Sequence, residues 1–202
     1  MGISYFSGRG PRPQPAAVPP VSTHLEVFRN PEHYIADQGL VDAVNVALLL
    51  GQPILLTGEP GAGKTQLAYR LSWELNLGAP LRFQTKSDSR ARDLFYTYDS
   101  LRRFQDVQSQ LESNPRNYLT FQALGLAIMN SLPATAEASH FPPGRNGRSV
   151  VLIDEIDKAP RDFPNDILGE LEQMCFMIPE LGGLRFDANR NLLPIVVLTS
   201  NS

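Results

Sequence analysis

The chain has 202 residues, enough for one domain and a tail at roughly 150 residues per domain. Apolar residues at 42% and charged residues at 19% suit a folded globular chain and exclude collagen-like, coiled-coil and wholly disordered classes, while no window approaches the roughly 20 apolar residues of a membrane span. Lys and Arg total 18 against 21 Asp and Glu, a net charge of -3, so no global positive field holds nucleic acid, and DNA or RNA is disfavoured as the main ligand.

At the amino end, MGISYFSGRG lacks the apolar run of a secretory signal, and Phe6 stands where a myristoylation motif wants Ser or Thr. Five of the 17 prolines fall between Gly8 and Ser22 without hydrophobic periodicity, which predicts a disordered proline-rich tail over 1–26 ahead of a core over 27–202. From Asp37 to Leu50, Leu40, Val41, Val44, Ala47 and Leu48 recur at helical spacing, and Gly51 then marks a stop. Pro53 to Thr57 reads as a short strand buried on both faces, followed by a glycine-rich turn and a helix over Lys64 to Leu77.

Leu81 to Thr85 predicts a second strand, whose alternating Arg82 and Gln84 place it near a sheet edge. Leu101 to Leu111 and Tyr118 to Leu132 read as helices, and Pro133 to Ser149 as an exposed loop. Val150 to Ile153 and Ile195 to Leu198 are two further buried strands, with a helix over Phe163 to Phe176 between them. Strands alternating with helices argue for an open parallel sheet covered on both sides. The single cysteine, Cys175, forms no internal disulfide, reads as a buried helix end, and fits a reducing, cytoplasmic setting.

Residues Gly58 to Thr65 read GEPGAGKT, Gly, four residues, Gly, Lys and Thr between a strand and a helix. Triphosphate oxygens approach several backbone N–H groups at once only where no Cβ intrudes and φ turns positive, which accounts for Gly58, Gly61 and Gly63. Lys64 supplies a charge to the β and γ phosphates, and Thr65 opens the helix with its hydroxyl toward Mg²⁺ and the positive helix end toward the anion. About 90 residues on, the buried run VVLIDE ends in two acids, costly unless something positive faces them. Asp154 then serves the Mg²⁺ shell, and Glu155 polarises a water for in-line attack on the γ phosphate. IVVLTSN ends on Asn201, which a parallel sheet brings to the same carboxyl-end crevice, where it orients that water.

With these residues the chain resembles the AAA+ ATPases, and within them the MoxR-like branch. GEPGAGKT resembles the Walker A motif, VVLIDEIDKAPRDFPNDIL the Walker B motif with its following segment, and TSN sensor 1. The run DEIDKAP followed by ELE at Glu170 to Glu172 is the more specific signal, and the likeness covers roughly Glu32 to Ser202. It implies an α/β three-layer P-loop NTPase with a mostly parallel sheet, ATP and Mg²⁺ as ligands, and a nucleotide cradle of Gly58, Glu59, Pro60, Gly61, Ala62, Gly63, Lys64, Thr65 and Gln66. Thr65 and Asp154 then serve the metal, Lys64, Glu155 and Asn201 the catalysis, and Tyr34 and Ile35 the adenine. It further implies a homo-oligomeric ring, a hexamer when complete, that remodels client proteins, among them proteins with metal-dependent adhesion domains.

Family members continue past sensor 1 with an arginine finger, a fifth strand and a helical lid in a sheet ordered 5-1-4-3-2. The chain therefore reads as an AAA+ large subdomain truncated after sensor 1, with Pro53 to Thr57 left as a bare edge. That gap leaves open an alternative, a nucleotide-binding scaffold or regulatory module with little hydrolysis. His24, His33 and His140 show no metal-binding spacing, Arg90, Arg92, Arg102 and Arg103 read as a solvated face or local patch, and Asp157 and Lys158 as ring contacts or a surface ion pair.

Overall fold

A computed structural model describes residues 30–111, 114–133, 141 and 144–201. The proline-rich tail over 1–26, His24, His140 and part of the predicted 133–149 loop lie outside the described residues. Helix α1 spans Gln38–Leu50; Asp37 caps it by accepting the Leu40 N–H at 2.9 Å, and Gly51 ends it at a left-handed φ of 65°. Strand β1 (Ile54–Thr57), helix α2 (Lys64–Glu74) and strand β2 (Leu81–Gln84) follow. Strand β3 (Tyr96–Tyr98), helix α3 (Ser100–Gln108), strand β4 (Leu119–Phe121) and helix α4 (Ala123–Ser131) come next. The chain then runs through β5 (Val150–Asp154), α5 (Phe163–Gln173), β6 (Cys175–Ile178), β7 (Leu184–Asp187) and β8 (Ile195–Ser200).

The central sheet is four-stranded and parallel, in the order β1-β8-β5-β2. Its two middle strands, β5 and β8, are buried along their whole length. Alternation along each strand divides the core in two. Val150, Leu152, Ile195 and Val197 pack with Val44 of α1 and Leu67, Ala68 and Leu71 of α2. Val151, Ile153, Val196 and Leu198 point the other way, onto Leu124 and Ile128 of α4 and Phe163, Ile167 and Leu171 of α5. The result is a three-layer α/β P-loop fold. Burying each of the Val, Leu, Ile and Phe side chains contributes about 1.5–3 kcal/mol, which is why uninterrupted apolar strands occupy the middle of the sheet.

Four expectations change. Strand β1 is not buried on both faces: it is outermost in the sheet, and Leu55 is 60% exposed. Tyr118 to Leu132 is not one helix, because a 3-10 turn at Pro115–Tyr118 and strand β4 precede α4. Cys175 is buried but opens strand β6; the preceding helix stops at Gln173, where Met174 turns left-handed at φ 47°. Two antiparallel pairs, β3 with β4 and β6 with β7, add small ribbons beside the main sheet. Phe176 of β6 joins them, its ring 5.2 Å from that of Phe95 and 5.3 Å from that of Phe186.

Candidate nucleotide site

The parallel arrangement brings the carboxyl ends of β1, β5, β8 and β2 to one edge, where a cleft of about 960 Å³ opens. Pro60, Gly61, Gly63, Lys64, Thr65, Gln66, Asp154, Glu155 and Asn201 all line it, together with Tyr34 and Ile35. Gly58, Glu59 and Ala62 complete the loop behind them, and φ is +148°, +85° and +83° at Gly58, Gly61 and Gly63. Only glycine adopts such angles without cost, so the loop can turn its amides inward. No side chain caps the amino end of α2, and its first N–H groups face the loop with the helix dipole behind them. Lys64 donates to the loop's own carbonyls, Gly58 O at 2.6 Å and Glu59 O at 2.8 Å.

Tyr34 reaches the cleft because Arg70 of α2 donates to the carbonyls of Pro31 and Glu32, both at 3.1 Å, and so ties that turn to the helix behind the loop. Burial, then the nearby Asp37, pushes the Tyr34 hydroxyl above its ordinary value. His33 lies in the same turn and is exposed.

Alternation also explains the acidic end of β5. Asp154 continues the Val150 and Leu152 face and Thr199 the Ile195 and Val197 face, both toward α2. Asp154 is 3% exposed, and each carboxylate oxygen is occupied. Its Oδ1 accepts from Thr65 at 3.1 Å and Thr199 at 2.6 Å; its Oδ2 accepts from Arg82 Nε at 3.1 Å and Nη2 at 2.6 Å. Thr65 and Asp154 form a hard oxygen pair of the kind Mg²⁺ takes beside substrate phosphates and waters. Among the described residues there is no cluster of three or more His, Cys, Asp or Glu that could hold a metal ion.

Glu155 turns out of the strand at φ 60° and ψ 50°, with its N–H held by Thr199 Oγ1 at 2.9 Å and its carbonyl by the Thr85 hydroxyl. Backbone held in this region concentrates at working sites. The carboxylate accepts from Lys158 at 2.6 Å and Gln84 at 3.1 Å, and these two bonds, Lys158 first, hold it below the usual carboxylate range. Asp157 accepts the Asn201 N–H at 3.0 Å, the main cause of its own lowered value. Asp157 and Lys158 thus pair with Asn201 and Glu155 inside the chain rather than with each other.

Of the four arginines read as a solvated face or local patch, Arg90, Arg92 and Arg102 are exposed, and each of the four makes a contact nearby. Arg92 lies 3.6 Å from Glu180, Arg103 donates to the Tyr98 hydroxyl at 3.0 Å, Arg102 stacks over Tyr118, and the Arg90 N–H meets Asp93 at 2.9 Å. Sequence reasoning passed over Arg82, Gln84, Thr199 and the Glu155–Lys158 pair. Its one available signal was two polar residues on alternate positions of β2.

Two variants of Thermotoga maritima RuvB are among the similar solved structures. One is 18% identical, with 86% of this chain and 42% of that chain covered at a TM-score of 0.40. The other is 17% identical, with 86% and 41% covered at 0.39. The chain thus spans less than half the length of these structures. No curated protein matches it. A family model described as AAA domain, dynein-related subfamily, matches residues 53–202, the whole segment from β1 through β8. The chain belongs to that AAA family, whose general chemistry is the binding and hydrolysis of nucleotide.

Proposed function

We propose that this chain binds ATP with Mg²⁺ and hydrolyses it, and that it couples hydrolysis to the remodelling of partner proteins as a MoxR-like AAA+ ATPase. The observation that carries the reading is the convergence of Lys64, Thr65, Asp154, Glu155 and Asn201 on one cleft. Lys64 exchanges the carbonyls of Gly58 and Glu59 for the β and γ phosphates, while the loop amides between Gly58 and Gln66 grip the same oxygens. Thr65 and Asp154 hold Mg²⁺, which neutralises charge on the transferring phosphoryl group. Glu155, released from Lys158, accepts the proton of the attacking water, and Asn201 orients that water. Tyr34 and Ile35 lie beside the loop where a base can stack.

The DEIDKAP run and the Glu170 to Glu172 acids support the MoxR-like assignment. A homo-oligomeric ring, a hexamer when complete, a client with a metal-dependent adhesion domain, and a cytoplasmic setting belong to the same proposal. Among the described residues no helix is long and apolar enough to cross a membrane. Lys64→Ala is expected to abolish nucleotide binding, whereas Glu155→Gln keeps binding and stops turnover. Equal phosphate release from wild type and Glu155→Gln would refute the role given to Glu155. Mg²⁺-dependent release that Glu155→Gln lacks excludes the alternative, a scaffold that holds nucleotide without hydrolysing it.

A further inference from the structure

The two oxygens of Asp154 are held in different ways. Oδ1 receives two hydroxyls: that of Thr199, fixed because its oxygen also accepts the Glu155 N–H, and that of Thr65, which can turn a lone pair toward an arriving cation. Oδ2 receives Arg82, whose Nε and Nη2 both point at it in a fixed, permanently charged fork. The acid is almost wholly buried, with its side chain 4% exposed, whereas the Arg82 side chain is 44% exposed and lines the cleft. Strand register explains how this arginine arrives. Arg82 lies opposite Leu152, two residues short of the Gln84–Asp154 pair, so its long side chain runs along the strand to the carboxylate.

A buried carboxylate without a cation is costly, and Arg82 removes that cost while no metal is bound. A divalent cation held by Asp154 and Thr65 repels a guanidinium on the same carboxylate, and the two compete for one group. We propose that Arg82 is a metal-responsive counterion: it neutralises Asp154 in the resting site and yields that carboxylate when Mg²⁺ enters with nucleotide. The proposal rests on the nucleotide reading above and adds a residue that sets the metal dependence of that site. Arg82 acts through Asp154 and is a positioning residue. Its half-exposed side chain, anchored in β2, is free to withdraw into the cleft without unfolding the sheet.

The test separates the two layers. Fluorescent mant-ADP titrated in EDTA measures nucleotide binding alone; Mn²⁺ titrated into the protein–ADP complex and followed by electron paramagnetic resonance measures the metal. Arg82→Gln is expected still to bind mant-ADP in EDTA and to tighten Mn²⁺ about tenfold or more, the scale of one charge-assisted hydrogen bond. Arg82→Lys, which restores charge without the fork, is expected to return Mn²⁺ affinity most of the way to wild type.

Should Arg82→Gln fail to fold, the wild type carries the test. The Arg82 Nε–H resonance, identified by its loss in Arg82→Lys, must shift when Mg²⁺ is added to the ADP complex. Unchanged or weaker Mn²⁺ binding in Arg82→Gln, or an Arg82 signal indifferent to Mg²⁺, overturns the proposal while leaving the nucleotide reading intact. Absence of mant-ADP binding to wild type overturns both.

Discussion

Glu155 occupies a backbone region that side chains with a Cβ seldom adopt, and three neighbours keep it there: Thr199 on its N–H, Thr85 on its carbonyl, Lys158 on its carboxylate. The Lys158 bond, then the Gln84 bond, lower the carboxyl below its ordinary value. A folded value below the unfolded one means that this carboxylate's share of stability is present above the unfolded value and is lost as pH falls through the depressed one. Lys158→Ala is therefore expected to move the Glu155 titration midpoint upward toward the usual carboxylate range, read by carbon-13 carboxylate resonances. An unmoved midpoint would show that Lys158 does not hold this group. Lys64, Thr65, Asp154 and Glu155 are legible in the sequence because each stands in a short run with fixed spacing. Arg82 and Thr199 are not, since each matters only through strands placed on either side of Asp154.

Helix α4 comes against the backbone of Phe95 at Gly125. A Cβ on Gly125 would lie 2.0 Å from the Phe95 carbonyl oxygen, an atom that already accepts the Gln122 N–H at 2.8 Å. Neither backbone can yield without pulling α4 from the aromatic cluster. Gly125→Ala is expected to destabilise by about 3 kcal/mol, the upper end of overpacking costs, measured as a shift in the urea midpoint. Gly169→Ala in the exposed face of α5, where nothing lies within 4 Å, is its control and is expected to stabilise by about 0.5–1 kcal/mol. The long helices were readable from their 3.6-residue pattern. The ribbons were not: strands of three or four residues, β3 and β4 among them, are shorter than the window over which period two can be told from a helix. Phe95, Phe176 and Phe186 hold them by ring contacts between distant segments.

Among the described residues, apolar side chains are exposed at the β1 end of the sheet. β1 is the outermost strand, Leu55 projects from it 60% exposed, and Leu49 and Leu50 at the end of α1 are 86% and 64% exposed. A bare apolar edge is a template for another chain. Leu55→Lys is expected to lower self-association, followed by light scattering against concentration, while changing stability by no more than about 0.5 kcal/mol. Unchanged scattering would place the contact elsewhere.

What the sequence determined by itself was the phosphate loop, the alternation of strand and helix, and the two strands buried throughout. These are local patterns, set by the absence of Cβ atoms at glycine and by side-chain periodicity along a single segment. The order β1-β8-β5-β2 agrees with the one the family resemblance implied, whereas only the tertiary structure decided the side-chain neighbours of each acid. These partners are brought together by packing across 72 residues for Arg82 and 45 for Thr199, so no local run announces that they would flank Asp154.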